Sequence, residues 1–169
     1  MSLPPRASDE NCAFCKIVRA DDGFRVFEDE HTIAFLDHRP LFPGHCLLIP
    51  KNHLETINDL PNSLLATLFV NVRLLSTAVE LGMRAEGTFV AANNRVSQSV
   101  PHFHVHIVPR TKGDGLRDFS GHDASTKVPK RLIRCWARCV RRLRKFESLG
   151  TTSPGGTLFS CALALAHDS

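Results

Sequence analysis

The chain has 169 residues, of which 43% are hydrophobic, and these values are typical of one folded domain with its own core. Its formal net charge is +4, but nine Lys or Arg and only three Asp or Glu follow residue 118, so the excess positive charge lies in this tail. The preceding part is slightly acidic, which argues against a basic platform for nucleic acid. A continuous apolar run of about 18 residues is missing from the sequence, which argues against a membrane span.

Composition divides the chain into three segments. Residues 1–10 are polar and Pro-rich and are predicted to be disordered, residues 11–118 to form one domain, and residues 119–169 to form a basic tail. The first residues, MSLPPR, hold no apolar signal-peptide core. Six cysteines occur in a chain long enough to bury a core without disulfides, so we predict a reducing, cytoplasmic setting.

The first predicted elements are strands. Residues 25–29 and 32–36 read as two strands joined by a turn at residues 29–31. Pro43 and Gly44 break the chain before residues 46–49, a short and fully apolar run that we predict to lie in the middle of the sheet.

A helix and two more strands follow. Asp59-Leu60-Pro61 is the predicted helix start and Gly82 the predicted C-terminal cap. Between them the apolar residues recur at helical spacing: Leu64, Leu65, Leu68, Phe69, Val72, Leu75 and Val79. Residues 87–92 read as a strand that pairs with the next one. The set predicts an α+β fold, with an antiparallel sheet of about five strands and a helix packed on one face.

Three histidines, two residues apart, dominate the last predicted strand. Side chains alternate across a strand, so His102, His104 and His106 should share one face while the apolar residues between them enter the core. Such a surface suits nucleophilic catalysis on phosphorus or a zinc site. The alternative is a half-buried strand that is merely histidine-rich, and the solvation cost of three unpartnered imidazoles argues against it.

These residues resemble the histidine triad (HIT) family, whose signature is His-x-His-x-His followed by apolar residues. The resemblance includes Gln98, four residues before the first histidine, and the closing Pro109-Arg110. Two upstream blocks, FLDHRP at residues 35–40 and PGHCLLIPKNH at residues 43–53, are similar to the family's other blocks. The resemblance extends over roughly residues 12–117, which is the length of a domain of ordinary size.

The resemblance implies a hydrolase or transferase for nucleotide phosphoramidates, nucleotidyl esters or dinucleoside polyphosphates. It implies that His104 attacks the α-phosphorus and forms a nucleotidyl-histidine that water hydrolyses. An imidazole is neutral and nucleophilic near pH 7, because its ordinary pKa is about 6.5. His106 is implied to donate to phosphate oxygens, His45 to orient the group, and His102 to complete the triad.

Other residues are implied to bind the nucleotide. Asp37 matches the residue that binds the ribose hydroxyls, although a carboxylate before Pro40 could instead cap a turn. Gln98 and Ser99 are implied to contact the phosphate or the leaving group, and Asn93 the ribose and phosphate. Apolar residues are implied to wall the base: Phe14, Ile17 and Phe35.

The polar loop departs from the family's pattern. Only four residues separate Asn93 from Gln98, fewer than the family places there, and Ser97 stands where the family has a glycine. The loop is therefore expected to be tighter at Asn93 than in the family.

Cys12-x-x-Cys15 is a second motif. By itself this spacing fits a redox-active pair or two buried cysteines. Some bacterial family members bind zinc with such a pair and two histidines, and the matching residues here are His53 and His102. Two sulfurs and two nitrogens suit a closed, tetrahedral structural zinc site, which would tie the N-terminal segment to the triad and fix His102. The alternative is a reduced thiol pair without metal.

The partners implied by the resemblance are a nucleotide, with purine as the base, and a second copy of the chain in a homodimer. We expect no membrane and no specific nucleic acid as partners. Two rival hypotheses remain open at this point. One is a nucleotide-binding partner or sensor protein with little turnover, and the other is a zinc-stabilised interaction module.

The tail after Asp118 does not continue as family relatives do. Relatives with a similar Lys-Gly-Asp-Gly-Leu stretch continue into a segment resembling Phe-Phe-Trp-Pro-Arg. One choice of codons for residues 119–127, shifted by two bases, reads Leu-Trp-Pro-Arg-Arg-Glu-Tyr-Gln. The codons are chosen and not observed, so a shifted reading frame after about residue 118 is a hypothesis. It predicts a tail that packs poorly and can be deleted without loss of nucleotide binding.

Overall fold

The structure is a computed structural model that describes residues 10–20 and 25–116. The predictions of a disordered N-terminus and a poorly packed basic tail concern residues that lie, almost entirely, outside these ranges. They therefore stay predictions, as does the boundary of the domain at residue 118.

Five antiparallel strands form a single sheet in the described part of the chain. Along the sheet the strands follow the order β1-β2-β3-β5-β4. Every neighbouring pair is antiparallel. Their bounds are Arg25–Glu28 (β1), Thr32–Leu36 (β2), Cys46–Pro50 (β3), Gly87–Ala91 (β4) and Val105–Arg110 (β5). The predicted α+β fold and the central place of the apolar strand β3 are both confirmed.

The β1–β2 hairpin turns where the sequence predicts it. The Asp29 carboxylate accepts the backbone N–H groups of His31 and Thr32, a local bond that favours tight turns. The side-chain amide of Asn71, from the long helix, donates to the same carboxylate at 2.6 Å and to the Thr32 hydroxyl at 3.0 Å. This buried polar contact fixes the hairpin against the helix.

In the described residues two α-helices flank the sheet, α1, Ala13–Arg19, and α2, Asn62–Met83, and a short 3-10 helix, Ile57–Asp59, precedes α2. The seven-residue helix α1 has no counterpart among the predicted elements. Gly82 is not the C-terminal cap of α2, because it lies buried within the last turn. The helix ends at Met83 and is capped by Arg84, which adopts the left-handed conformation with φ 54°.

Helix α2 is long and apolar enough to cross a membrane by length and composition alone. Its buried residues, however, pack with the sheet in one core cluster that includes Leu68, Leu75 and Val79. An apolar stripe covered by a sheet is what a core helix shows, and we therefore assign α2 to the core.

The opposite face of the sheet has its own, smaller core. Alternate residues of β2 and β3, among them Ile33, Leu47 and Ile49, are buried there under the segment that carries Cys12 and Cys15. The short helix α1 thus covers the face of the sheet that α2 leaves open.

Candidate active site and cysteine–histidine cluster

The three histidines lie at the start of β5 and just before it. Strand β5 begins at Val105, so His106 lies within the strand while His102 and His104 precede it, which corrects the prediction that all three lie in one strand. The alternation nevertheless holds. The intervening residues Phe103, Val105 and Ile107 belong to the core under α2, as predicted.

The imidazoles separate into two clusters on the other face of the sheet. His106 pairs across the sheet with Leu47, and its ring centroid lies 4.9 Å from that of His104. His102 instead lies against the two cysteines and His53. The period-two spacing predicts the shared face, and the family resemblance predicts His102 beside the cysteines and His53.

His104 has a defined tautomer. Its Nδ1 lies 2.7 Å from the backbone carbonyl oxygen of His102. A carbonyl only accepts, so Nδ1 carries the proton and donates it, and Nε2 keeps its lone pair. Burial lowers the pKa of His104, while the bond to the His102 carbonyl and the Asp37 charge oppose that shift. The geometry therefore presents a neutral imidazole with a nucleophilic Nε2.

His45 and His106 form a hydrogen-bonded chain of fixed direction. The backbone N–H of Leu41 donates to His45 Nδ1 at 3.1 Å. The proton of a neutral His45 must then be on Nε2, which lies 3.0 Å from His106 Nδ1. His106 accepts there, so its own proton is on Nε2. The backbone of Leu41 has no sequence signal of its own, and sequence reasoning missed this contact.

Burial keeps this pair neutral at pH 7. It lowers the pKa of His45 to about 4, with a further contribution from the neighbouring His104. It lowers the pKa of His106 to about 3, with further contributions from His45 and His104. Desolvation disfavours the charged form of an imidazole, and close imidazoles disfavour one another's protonation.

Asp37 lies beside the histidines. Its carboxylate oxygen Oδ2 is 3.7 Å from His45 Nδ1, and its side chain is mostly buried. Its other oxygen accepts the backbone N–H of Arg39 at 2.9 Å. The turn-capping alternative is therefore realised, and ribose binding by Asp37 stays a prediction.

The polar loop before the triad is braced by its own side chains. Asn93 Nδ2 donates to the carbonyl of Ser97 at 3.1 Å. The Gln98 amide accepts from the backbone of Arg95 at 2.7 Å and donates to the carbonyl of Glu55 at 2.6 Å. Ser97 has φ 57°, the left-handed conformation that favours the glycine it replaces. Ser99 is exposed, and the nucleotide contacts of this loop stay predictions.

Phe14 occupies a position that the sequence does not reveal. Its ring packs edge-on against His104 at a centroid distance of 5.2 Å and against His102 at 5.9 Å. It also contacts Phe35 at 5.4 Å and is buried. Phe14 therefore supports the ring of His104, the candidate nucleophile, and its contact with a base stays a prediction.

The second cluster brings together Cys12, Cys15, His53 and His102. One potential ligand atom from each residue lies within 4.8 Å of the others. His102 Nε2 donates to the carbonyl of Pro50 at 2.9 Å, so its Nδ1 lone pair faces the two sulfurs at 3.5 Å each. His53 Nδ1 is 3.3 Å from the sulfur of Cys15. This is a compact set of soft sulfur and imidazole donors.

His102 links the two clusters. Its ring faces the cysteines, and its backbone carbonyl holds the Nδ1 proton of His104. A displacement of His102 would therefore be transmitted directly to the tautomer and orientation of the candidate nucleophile.

Comparisons with known proteins point to one family. The HIT domain matches residues 19–113, which is more than half of the chain. Adenylylsulfatase HINT3 of Arabidopsis thaliana is 35% identical over 136 residues, covering 78% of this chain and 68% of the relative. Adenosine 5'-monophosphoramidase HNT1 of Saccharomyces cerevisiae is 32% identical over 108 residues, covering 63% and 66%.

Solved structures agree with the sequence comparison. A Zn-bound histidine triad family protein from Mycobacterium smegmatis has a TM-score of 0.68 and 30% sequence identity, covering 81% of this chain and 98% of that one. The domain match, the relatives and the shared fold establish that the chain belongs to the HIT family.

Proposed function

We propose that the protein transfers or hydrolyses an adenylyl-type group through a nucleotidyl-histidine formed on His104. The observation that carries the proposal is the hydrogen bond from His104 Nδ1 to the His102 carbonyl, which leaves Nε2 as the nucleophile. Two relatives are named an adenylylsulfatase and an adenosine monophosphoramidase. The substrates that these names indicate share an adenylyl group and differ in the group joined to it. Nucleotide phosphoramidates, nucleotidyl esters and dinucleoside polyphosphates all contain such a group.

The mechanism follows from the direction of the hydrogen bonds. His104 Nε2 attacks the α-phosphorus, and the positive charge that develops on the ring is held by the His102 carbonyl at Nδ1. His106 presents Nε2–H, fixed in that tautomer by His45, as a neutral donor to a phosphate oxygen. Fixed donors aimed at developing charge are the main means of catalysing phosphoryl transfer.

Asp37, which lies beside His45, is proposed to accept hydrogen bonds from the ribose hydroxyls. Ser99, Gln98 and Asn93 are proposed to line the phosphate side, with Gln98 acting chiefly by bracing the loop. A purine base is proposed because both named relatives act on adenosine nucleotides.

We propose that zinc occupies the cysteine–histidine cluster. The donor set fits a metal ion. A lone pair of His102 faces two buried thiols, and the ligand atoms of all four residues, His53 included, lie within 4.8 Å of one another. Cys12, Cys15, His53 and His102 would hold the ion, which would supply a structural cross-link between the N-terminal end of α1 and the triad. The zinc-bound relative from Mycobacterium smegmatis supports the assignment.

A homodimer is proposed as the assembly. Strand β4 lies at an edge of the sheet in the described part of the chain, and its Val90 is 40% exposed. Helix α2 exposes two large apolar side chains, Phe69 at 43% and Val70 at 48%. An unpaired edge strand and exposed apolar residues favour pairing with a second copy. A cytoplasmic location stays a proposal that rests on the composition of the chain.

A substrate panel tests the proposed function. Purified protein is incubated with adenosine phosphoramidate, adenylyl sulfate and a dinucleoside polyphosphate, and release of AMP is measured for the wild type and for His104→Ala. At least one substrate should be turned over, and only by the wild type. Binding of AMP without turnover would favour the nucleotide sensor, and absence of both would favour the zinc-stabilised interaction module.

A further inference from the structure

Arg25 holds the C-terminal end of helix α1. Its Nη2 donates to the backbone carbonyls of Ile17 and Val18 at 3.0 Å each and contacts the carbonyl of Ala20. The last carbonyl groups of a helix have no partner within the helix, so a guanidinium at that end satisfies them and complements the helix dipole. A helix of seven residues is not stable by itself and depends on contacts of this kind.

The sheet holds Arg25 itself in place. Arg25 is the first residue of β1 and lies directly opposite Phe35 of β2. Opposite residues of an antiparallel pair point to the same face of the sheet, so the guanidinium reaches α1 on the face where Phe35 packs. Its Nη1 donates to Glu28 Oε2 at 3.0 Å, which orients the guanidinium, and Glu28 Oε1 in turn lies 2.7 Å from Lys51 Nζ.

From α1 the contacts continue to the candidate nucleophile. Phe14, in the first turn of α1, packs against Phe35 at a centroid distance of 5.4 Å and against His104 at 5.2 Å. The planes of the Phe14 and His104 rings are 83° apart, and the energy of such an edge contact depends on the placement of both rings. A shift of α1 would therefore move the Phe14 ring relative to His104.

We propose that Arg25 is a positioning residue for His104 and acts through α1 and Phe14. A displacement of about 1 Å at a reacting group costs about a hundredfold in rate, so a contact at the far end of α1 is able to change turnover. The effect on turnover rests on the proposed function. The placement of the Phe14 ring over His104 is a separate consequence that requires no substrate.

Proton NMR of the imidazole rings tests this placement directly. The shifts of the carbon-bound His104 protons depend on the ring current of Phe14, and these signals are assigned by their loss in His104→Gln. In Arg25→Gln the shifts should move away from the wild-type values, because the shorter, neutral side chain no longer holds α1. In Lys51→Gln, which removes a second cation beside Glu28 and leaves Arg25 in place, they should stay at the wild-type values. Wild-type shifts in Arg25→Gln would overturn the inference.

Arg25→Lys keeps the test decisive where Arg25→Gln does not fold. Lysine retains a positive charge at the end of α1 but lacks the planar fork that reaches the carbonyls and Glu28 together. The His104 shifts should move by less than in Arg25→Gln. If Arg25→Gln is unfolded, wild-type shifts in Arg25→Lys would overturn the inference.

A double-mutant cycle with Phe14→Leu tests the route from Arg25 to turnover. The single-turnover rate with an adenylyl substrate should be about tenfold lower in Arg25→Gln than in the wild type. Added to Phe14→Leu, the same substitution should lower the rate by less than about threefold, because the contact that it misplaces is already lost. Equal decreases in both backgrounds would show a general loss of packing and overturn the inference.

Failure of the proposed function is distinguishable from failure of this inference. A protein that turns over no adenylyl compound, but whose His104 shifts respond to Arg25→Gln, would contradict the proposed function and support the positioning role. An active protein in which Arg25→Gln changes neither the shifts nor the rate would overturn the positioning role alone.

Discussion

The buried His45 makes a prediction about acid stability. Its pKa lies near 4 in the folded protein, against an ordinary value of 6.5. As the pH falls below 6.5 the unfolded chain binds a proton at this position and the folded chain does not, so the free energy of unfolding decreases. At about pH 4.5 the unfolded ring is almost fully protonated and the folded ring mostly neutral, which corresponds to a loss of about 2.5 kcal/mol. Below about pH 4 the loss from this group levels off.

The variant His45→Gln isolates this contribution. Glutamine keeps an amide donor near His106 but does not titrate, so the decrease in unfolding free energy between about pH 7 and pH 4.5 should be smaller by about 2.5 kcal/mol. Urea denaturation of both proteins at each pH measures this decrease. Because the two decreases with pH are compared, any effect of the variant on stability at neutral pH cancels. His31→Gln is the matched control, because the His31 side chain is 54% exposed. Equal pH dependence in wild type and His45→Gln would refute the buried, neutral state of His45.

Three further outcomes are expected. His104→Ala should lose at least about a thousandfold in turnover yet keep AMP binding by calorimetry, and a variant retaining more than a tenth of the rate would exclude His104 as nucleophile. Cys12→Ser should release about one zinc per chain and lower the melting temperature, whereas metal-free wild-type protein whose melting is unchanged by EDTA would rule out the zinc site. Asn71→Ala should lower the unfolding free energy by about 2 kcal/mol, because it leaves the Asp29 carboxylate and the Thr32 hydroxyl short of a partner, and a loss below about 0.5 kcal/mol would argue that water replaces the amide.

The periodicity of the sequence predicted the main features of the fold. Alternation around the histidines predicted which residues enter the core, and the short apolar run at β3 predicted the middle strand. The C-terminal cap of α2 was predicted at Gly82 and lies at Arg84, because the buried Gly82 continues the helix and Arg84 adopts the left-handed conformation. The helix α1 was not predicted, since seven residues give too little periodicity to detect.

The candidate site was predicted as a set of residues but not as an arrangement. Resemblance placed Cys12, Cys15, His53 and His102 together, and the structure brings their ligand atoms within 4.8 Å. The direction of the hydrogen bonds could not be predicted, because it depends on the backbone groups of Leu41 and His102, which no side-chain pattern encodes. A similar limit applies to Phe14, whose contact with His104 arises only when α1 packs on the sheet.

The account depends most on the covalent intermediate at His104. Wild-type protein is mixed with adenylyl sulfate, quenched in base within the first turnover, digested, and the peptides are examined by mass spectrometry. The account predicts one adenylyl group per chain, carried by His104 and absent from His104→Ala. Release of AMP without a modified histidine, or an adenylyl group on another residue, would contradict it.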